Sequence, residues 1–242
     1  MGRATTLLVL LNVVVFELLF SLPPETMDLV IASLSFSVFS FAQPWRMVTS
    51  LFVHISASHL FFNMLALFLF GRILERDIGY RKFILIYFLA GFAGNLLFAM
   101  TSTSYVVGAS AAMFGIVGAA MLLTPLKTTK IYLFPLPVAV LGLTFTVFEA
   151  FVVYFQPAEF AQVANVAHIA GIVTGAALAF HHNPQQSTKG LAILFGSVFL
   201  LVFLGPVFAV IGVVGSIVLS ILELVIGFVL YGIAKGLAVL WI

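Results

Sequence analysis

Residues 108–124 read Gly-Ala-Ser-Ala-Ala-Met-Phe-Gly-Ile-Val-Gly-Ala-Ala-Met-Leu-Leu-Thr, an apolar segment with Ser110 near its start. Residues 167–171 read Ala-His-Ile-Ala-Gly and open a second such segment, with His168 fifty-eight positions beyond Ser110. Polar and ionisable groups are costly inside a bilayer, so those retained there are functional candidates by default. A serine and an imidazole at matching ends of two membrane spans read as a nucleophile and its base.

Working outward, the composition sets the class. The 242 residues are 63% hydrophobic and 7% charged, with mean hydropathy +1.27. These values exclude a soluble globular domain. A helical span needs about 20 apolar residues, so the chain has room for six to eight spans and for no separate soluble domain. Cysteine is absent, which removes disulfides, thiolate chemistry and cysteine metal sites. The formal charge of +2 is too small to argue for nucleic acid.

Apolar runs occupy about 5–21, 59–71, 82–100, 106–124, 131–155, 163–180, 190–211 and 214–242. The second is short, and its helix is expected to continue to about Glu75 with snorkelling ends. Segment 22–58 is too long for a turn and too polar for a span. It reads as a loop lying partly in the interface, with Pro44-Trp45-Arg46 as an anchor. No small-residue cleavage site follows the first run, so it reads as an uncleaved helix rather than a signal peptide.

Placing the N-terminus in the cytoplasm puts Arg3, Arg72, Arg76, Arg81, Lys82, Lys127, Lys130 and Lys189 on the cytoplasmic side. Only Arg46 falls outside among the first six spans, a strong positive-inside bias. Spans two, four and six then all run inward. His59 and Asn63 begin span two, Ser110 begins span four and His168 begins span six. At a rise of about 1.5 Å per residue, all four lie within roughly 10 Å of their helix starts. Distant positions thus converge on one level near the outer face.

Each residue alone has a plainer reading. Ser110 suits a helix N-cap, His168 a satisfied interfacial histidine, and Asn63 a link between helices. Their shared depth favours the chemical reading. His54 and His59, with four residues between them, are not read as a metal site, since no carboxylate stands beside them in the sequence. His168, Gly171 and Gly175 share one helical face, and Gly171-x-x-x-Gly175 admits a close neighbour. Span four offers Ala111, Gly115 and Ala119 at the same spacing. Faces meeting there bring Ser110 and His168 within the reach nucleophilic catalysis needs.

With these residues in hand, the chain resembles the rhomboid intramembrane serine proteases. The likeness rests on Pro44-Trp45-Arg46, His59-x-x-x-Asn63, Gly71-x-x-x-Glu75, Gly108-x-Ser110 and Ala167-His168-x-x-Gly171-x-x-x-Gly175. They stand in family order and span residues 1–182. The resemblance implies an all-α polytopic membrane bundle with a six-helix core, and a Ser110–His168 dyad without a third acid. It implies cleavage of transmembrane substrates near the outer face. It further implies an oxyanion hole of His59, Asn63 and the Ser110 backbone amide. His54 is then a structural loop histidine, alongside Trp45 and Arg46. No cofactor and no metal are implied; the partners are transmembrane protein substrates and the lipid bilayer, in the cell membrane. Two positions depart from the family habit: Ala111 replaces a glycine after the serine, and Phe114 replaces a tyrosine stacked on the imidazole.

On this reading His168 takes the Ser110 proton during attack on a peptide carbonyl, then protonates the leaving amine and activates water. Glu149, in the outer half of span five, is the candidate orienter, its plainer reading being a partner for another helix. The loop near 155–164, with Gln156-Pro157, is positioned to cap the site. Residues 183–242 form an extension of one or two further spans, with a turn near Gly205-Pro206 or Gly212–Gly215. Ser216, Ser220, Glu223, Gly227, Tyr231 and Lys235 make a stripe there at helical spacing. Three rivals stand beside the protease. They are a silent client-binding relative, a small transporter (disfavoured by the cluster's shallow depth and the lack of broken-helix repeats), and a thioesterase or acyltransferase using the same dyad.

Overall fold

Helix α1 (Arg3–Phe20) begins without a side-chain cap of its own. Its free N–H groups are met instead from α4 (Ala57–Ile78). The Ala4 amide donates to Glu75 Oε1 at 2.9 Å, the Thr5 amide to Oε2 at 2.8 Å, and Thr5 Oγ1 to Oε2 at 2.7 Å. A carboxylate at a helix N-terminus satisfies unpaired donors and complements the helix dipole. Gly71, one turn before Glu75, leaves room for Thr5. The Gly71-x-x-x-Glu75 spacing therefore fastens the first span to the second.

The structure is a computed structural model that describes residues 2–131, 134–154 and 158–200 continuously, with 202, 203, 205, 216, 220, 221 and 224 beyond them. Two compact units divide the chain, Met1–Phe195 and Gly196–Ile242. The first holds the helices built around Ser110 and His168. Residues 184–200 are helical. Pro206, 212–215, Glu223, Gly227, Tyr231 and Lys235 lie outside the described residues, as do 155–157 of the suggested cap.

The loop after α1 is more ordered than its polarity predicts. It holds α2 (Pro24–Leu34), a 3₁₀ turn at Val38–Ser40, the short α3 (Arg46–Thr49) and a second 3₁₀ turn at Ser50–Phe52. Pro24 opens α2, where its missing N–H costs nothing. Arg46 Nη1 donates to the Ala32 and Ser35 carbonyls at 2.8 and 3.3 Å, and Thr49 Oγ1 to the Leu34 carbonyl at 2.8 Å. Trp45 is exposed beside them. Arg46 thus closes the C-terminal end of α2 while Trp45 faces outward.

Helix α4 runs past Glu75 to Ile78, where Gly79 at φ 82° ends it. Helix α5 (Tyr80–Thr101) follows at once. Helix α6 (Ser110–Leu123) is buried at every position from Ala111 to Leu123, as an all-round apolar helix at the centre of a bundle must be. Its start departs from the apolar run, which begins near 106. Val106 instead pairs with Phe36 in an isolated antiparallel bridge, and Gly108 at φ 110° breaks the chain before the helix.

A second departure lies in the run from 131. Strands β1 (Thr128–Ile131) and β2 (Phe134–Pro137) form an antiparallel pair with Ile131 opposite Phe134. Pro135 and Pro137 cannot donate helical hydrogen bonds, so α7 (Val138–Tyr154) starts only after them. Lys127 pairs with Asp77 nearby. Helix α8 (Ala158–His182) completes the arrangement, and it starts ten residues before His168, about 15 Å, rather than close to it as the apolar run from 163 suggests. Helices α1, α4 and α5 are each long and apolar enough to cross a membrane. At 14 residues, α6 is only about 21 Å long, shorter than a hydrocarbon core of roughly 30 Å. Its ends cannot both reach the membrane surfaces.

Candidate active site

The backbone turn before α6 is held from the first loop. The Gly108 amide donates to the Ser50 carbonyl at 2.8 Å, and the Ala109 amide to His54 Nε2 at 3.4 Å. Ala109 is the N-cap and Ser110 the first residue of the helix. The Ser110 hydroxyl is therefore not spent as a cap, the plain reading that its position suggested. Burial, reinforced by the neighbouring His59 ring, holds the His54 imidazole down to about 3. Its neutral form leaves Nε2 free to accept from Ala109.

His59 stands in the first turn of α4, where Ser56 Oγ accepts its amide at 3.2 Å. Its ring lies over the bare Cα of Gly108: a Cβ there would come within 2.6 Å of His59 Cε1 and 2.8 Å of Nε2. Its centroid is 4.9 Å from that of His54. One turn along, buried Asn63 donates from Nδ2 to the His59 carbonyl at 2.8 Å, and its Oδ1 has no partner. The second Nδ2 hydrogen is available to a group placed beside it.

Helices α6 and α8 meet backbone to backbone. The Ala111 carbonyl occupies the space a Cβ on Gly171 would need, and the Gly115 carbonyl does the same at Gly175. Both pairs rise together along the two helices, so the helices run parallel. With Gly115 also meeting the Gly171 carbonyl, Ser110 falls between the levels of residues 166 and 170, within two residues of His168. That is about 3 Å of axial rise. On the other side, Gly94 of α5 makes room for Ala111 Cβ and for the Ala167 carbonyl, which a Cβ would meet at 3.1 Å. Three helices therefore close together at the level of Ser110 and His168.

The His168 ring lies against that of Phe114, with centroids 4.6 Å apart and planes at 33°. Phe114 in turn lies 5.9 Å from Phe145 of α7. Ser110 and His168 are both half-buried and not hydrogen-bonded to one another. Such contacts are commonly long in ligand-free sites and tighten around substrate. Trp45 and Arg46 stand apart, in the loop that braces the turn.

One supporting residue escaped the sequence reading. Asn95 Nδ2 donates to Ser50 Oγ at 2.9 Å and to the Met47 carbonyl at 3.1 Å. It ties α5 to the loop residue whose carbonyl holds Gly108. The signal was present, since Asn95 is an amide inside an otherwise apolar span.

The arrangement offers a hydroxyl at a helix N-terminus, an imidazole at its depth, and amide and imidazole donors on a third helix. This is a donor set suited to acyl transfer. The Rhomboid domain family matches residues 42–184, more than half of the chain. The chain is 36% identical over 139 residues to RHOMBOID-like protein 6, mitochondrial, of Arabidopsis thaliana, covering 57% of this chain and 43% of that protein. It is 40% identical over 89 residues to the rhomboid protease GluP of Bacillus subtilis, covering 37% of this chain and 17% of GluP. It is also 34% identical over 134 residues to the inactive RHOMBOID-like protein 8 of Arabidopsis thaliana, covering 54% and 36%. The chain thus spans less than half the length of these relatives. Its matched segment contains Asn63, Ser110 and His168, and its apolar helices place it in a membrane: the chain belongs to the rhomboid family of integral membrane proteins.

Proposed function

We propose that this protein is an intramembrane serine endopeptidase that cleaves transmembrane segments near the outer face of the cell membrane. The observation that carries the reading is the bare-glycine contact of α6 and α8, which sets Ser110 and His168 at neighbouring levels with Phe114 against the imidazole. The active core is residues 1–182, and 183–242 are an accessory extension. The N-terminus is cytoplasmic, in keeping with the lysine and arginine distribution.

His168 accepts the Ser110 proton as Oγ attacks the scissile carbonyl. The Ser110 amide, Asn63 Nδ2 and His59 receive the oxyanion, a contribution of about 3 kcal/mol per donor in soluble proteases. His168 then delivers the proton to the departing amine, and a water deprotonated by the same ring releases the acyl group. Supporting roles fall to Gly108, Gly171, Gly175 and Phe114 around the dyad and to His54, Trp45 and Arg46 in the loop. The short α6 is in keeping with water access, because its two ends cannot both reach the membrane surfaces. Substrate must unwind locally, since a membrane helix hides its carbonyls in hydrogen bonds.

The test is labelling of purified protein by a fluorophosphonate, read by intact mass, for wild type, Ser110→Ala and His168→Ala. Labelling lost in both variants, followed by cleavage of a transmembrane reporter by wild type alone, is the expected result. A second reading is a silent client-binding protein. It is favoured by the similarity to a relative named inactive and by the open Ser110–His168 pair. Wild-type protein that melts cooperatively, takes no label and still retains a transmembrane peptide selects it.

A further inference from the structure

Helix α7 carries a carboxyl that the mechanism above does not use. Gly142 of α7 faces Met121 and Val117 of α6, where a Cβ would meet Met121 Cγ at 2.6 Å and Val117 Cγ1 at 3.4 Å. Phe145 follows on the same stripe, 5.9 Å from Phe114. Rising residue numbers on α7 thus meet falling numbers on α6, and the helices are antiparallel. One turn beyond Phe145 is Glu149; one turn before Phe114 is Ser110. The carboxyl and the hydroxyl therefore stand at one depth on facing helices. The pairing of Phe148 with Phe62 at 6.1 Å sets Glu149 near the level of Asn63 as well.

Glu149 is half-buried and has neither a hydrogen bond nor an ion pair among the described residues. An ionisable group kept within a membrane helix needs a partner. No hydrogen bond joins it to His168, whose imidazole lies against the Phe114 ring. Nor do the described residues supply a cation at this level. Arg46, the one basic residue assigned to the outer side, is committed to the Ala32 and Ser35 carbonyls. The missing partner then arrives with the substrate.

Resting on the protease reading, we infer that Glu149 is a specificity-determining residue that receives a lysine or arginine side chain close to the scissile bond of the transmembrane substrate. A charge-assisted hydrogen bond to a basic side chain neutralises the carboxylate where water is scarce. It also holds the unwound segment at the depth of Ser110. Substrates with a basic residue at the outer end of their span bind ahead of those with leucine there, and acidic ones bind last.

The test uses Ser110→Ala protein in nanodiscs, so that binding is read without cleavage. A fluorescent transmembrane peptide carries Lys, Leu or Glu at each of five successive positions of its outer end. With Glu149 intact, the Lys peptide is expected to bind at least fivefold tighter than the Leu peptide at one or two adjacent positions. Glu149→Gln should bring that ratio close to one, and Glu149→Lys should turn the preference towards the Glu peptide. Thermal melts report folding, and Glu149→Gln suffices alone if the charge reversal melts early. Equal ratios in all proteins, or no peptide binding at all, overturns the inference. Wild type that labels and cleaves without charge preference sinks this inference alone. A charge preference in protein that never takes the label sinks the protease reading and leaves Glu149 as a client-recognition residue.

Discussion

The His59 imidazole lies over Gly108 in the space a side chain would fill, at a residue whose φ of 110° already favours glycine. Two constraints meet at one position, a backbone turn and a ring that needs its room. Gly108→Ala is therefore expected to cost about 1–3 kcal/mol from conformation alone, and to displace His59 as well. Fluorophosphonate labelling of Ser110 should fall at least tenfold in protein that still melts cooperatively. Wild-type labelling in Gly108→Ala would show that the ring's position does not matter to the serine.

The α6–α8 contact makes a sharper demand. Beyond Ala111 O, a Cβ on Gly171 would find Ala111 C at 3.0 Å and Cα at 3.1 Å, all backbone atoms of a buried helix. Backbone cannot swing aside as a side-chain tip does. Gly171→Val should push the helices apart, at a cost of about 1–3 kcal/mol for overpacking, and separate Ser110 from His168. Gly175→Val should destabilise similarly but act one turn further from the imidazole. Gly196→Ala, with nothing within 4 Å of its Cβ, is the control and should melt with wild type. The contrast is read from melting curves alongside the labelling rate.

How far the sequence spoke depended on whether a signal was local. The helices were legible because a run of apolar residues must cross or fill a membrane whatever its neighbours do. The meeting of α6 and α8 was legible because Gly171 and Gly175 lie on the face of His168. What escaped was set by backbone geometry and long-range partners. The apolar run before Ser110 gave no sign that Val106 would pair with Phe36, and only Gly108 hinted at the break. Pro135 and Pro137 did carry the signal for a late start of α7, but hydrophobicity masked it. Glu75 could be matched as a motif, yet its work of capping α1 appears only when the chain is folded. Asn95 announced itself as a polar residue in a span without saying that its partner was Ser50.

Phe114 stands where the resemblance to the rhomboid proteases implies a tyrosine, and its ring contact with His168 needs no hydroxyl. Aromatic pairs contribute about 0.5–1.5 kcal/mol beyond burial. Phe114→Leu should consequently lower the labelling rate roughly two- to tenfold, with Phe114→Tyr staying within about twofold of wild type. The decisive comparison is the labelling rate constant of the three proteins at one probe concentration. A leucine variant as fast as wild type would assign the orientation of His168 to the helix contact alone.

His54 gives the site a pH limit whose sign follows from its burial. Its imidazole is held at about 3 against an ordinary value of 6.5. Between those values the unfolded chain binds a proton that the folded chain refuses. Stability from this group is complete above about pH 6.5 and is lost progressively as pH falls towards 3. Protonation would also place a hydrogen on Nε2, the atom that accepts the Ala109 amide, and so release the turn that presents Ser110. Melting temperature should fall between pH 6.5 and pH 4, and the fall should be shallower in His54→Gln, which has nothing there to titrate. Because His59 lies 4.9 Å away, His59→Gln should be measured alongside to separate the two imidazoles. Parallel pH profiles for wild type and His54→Gln would mean that the turn before Ser110 is held by the Gly108–Ser50 bond without help from His54.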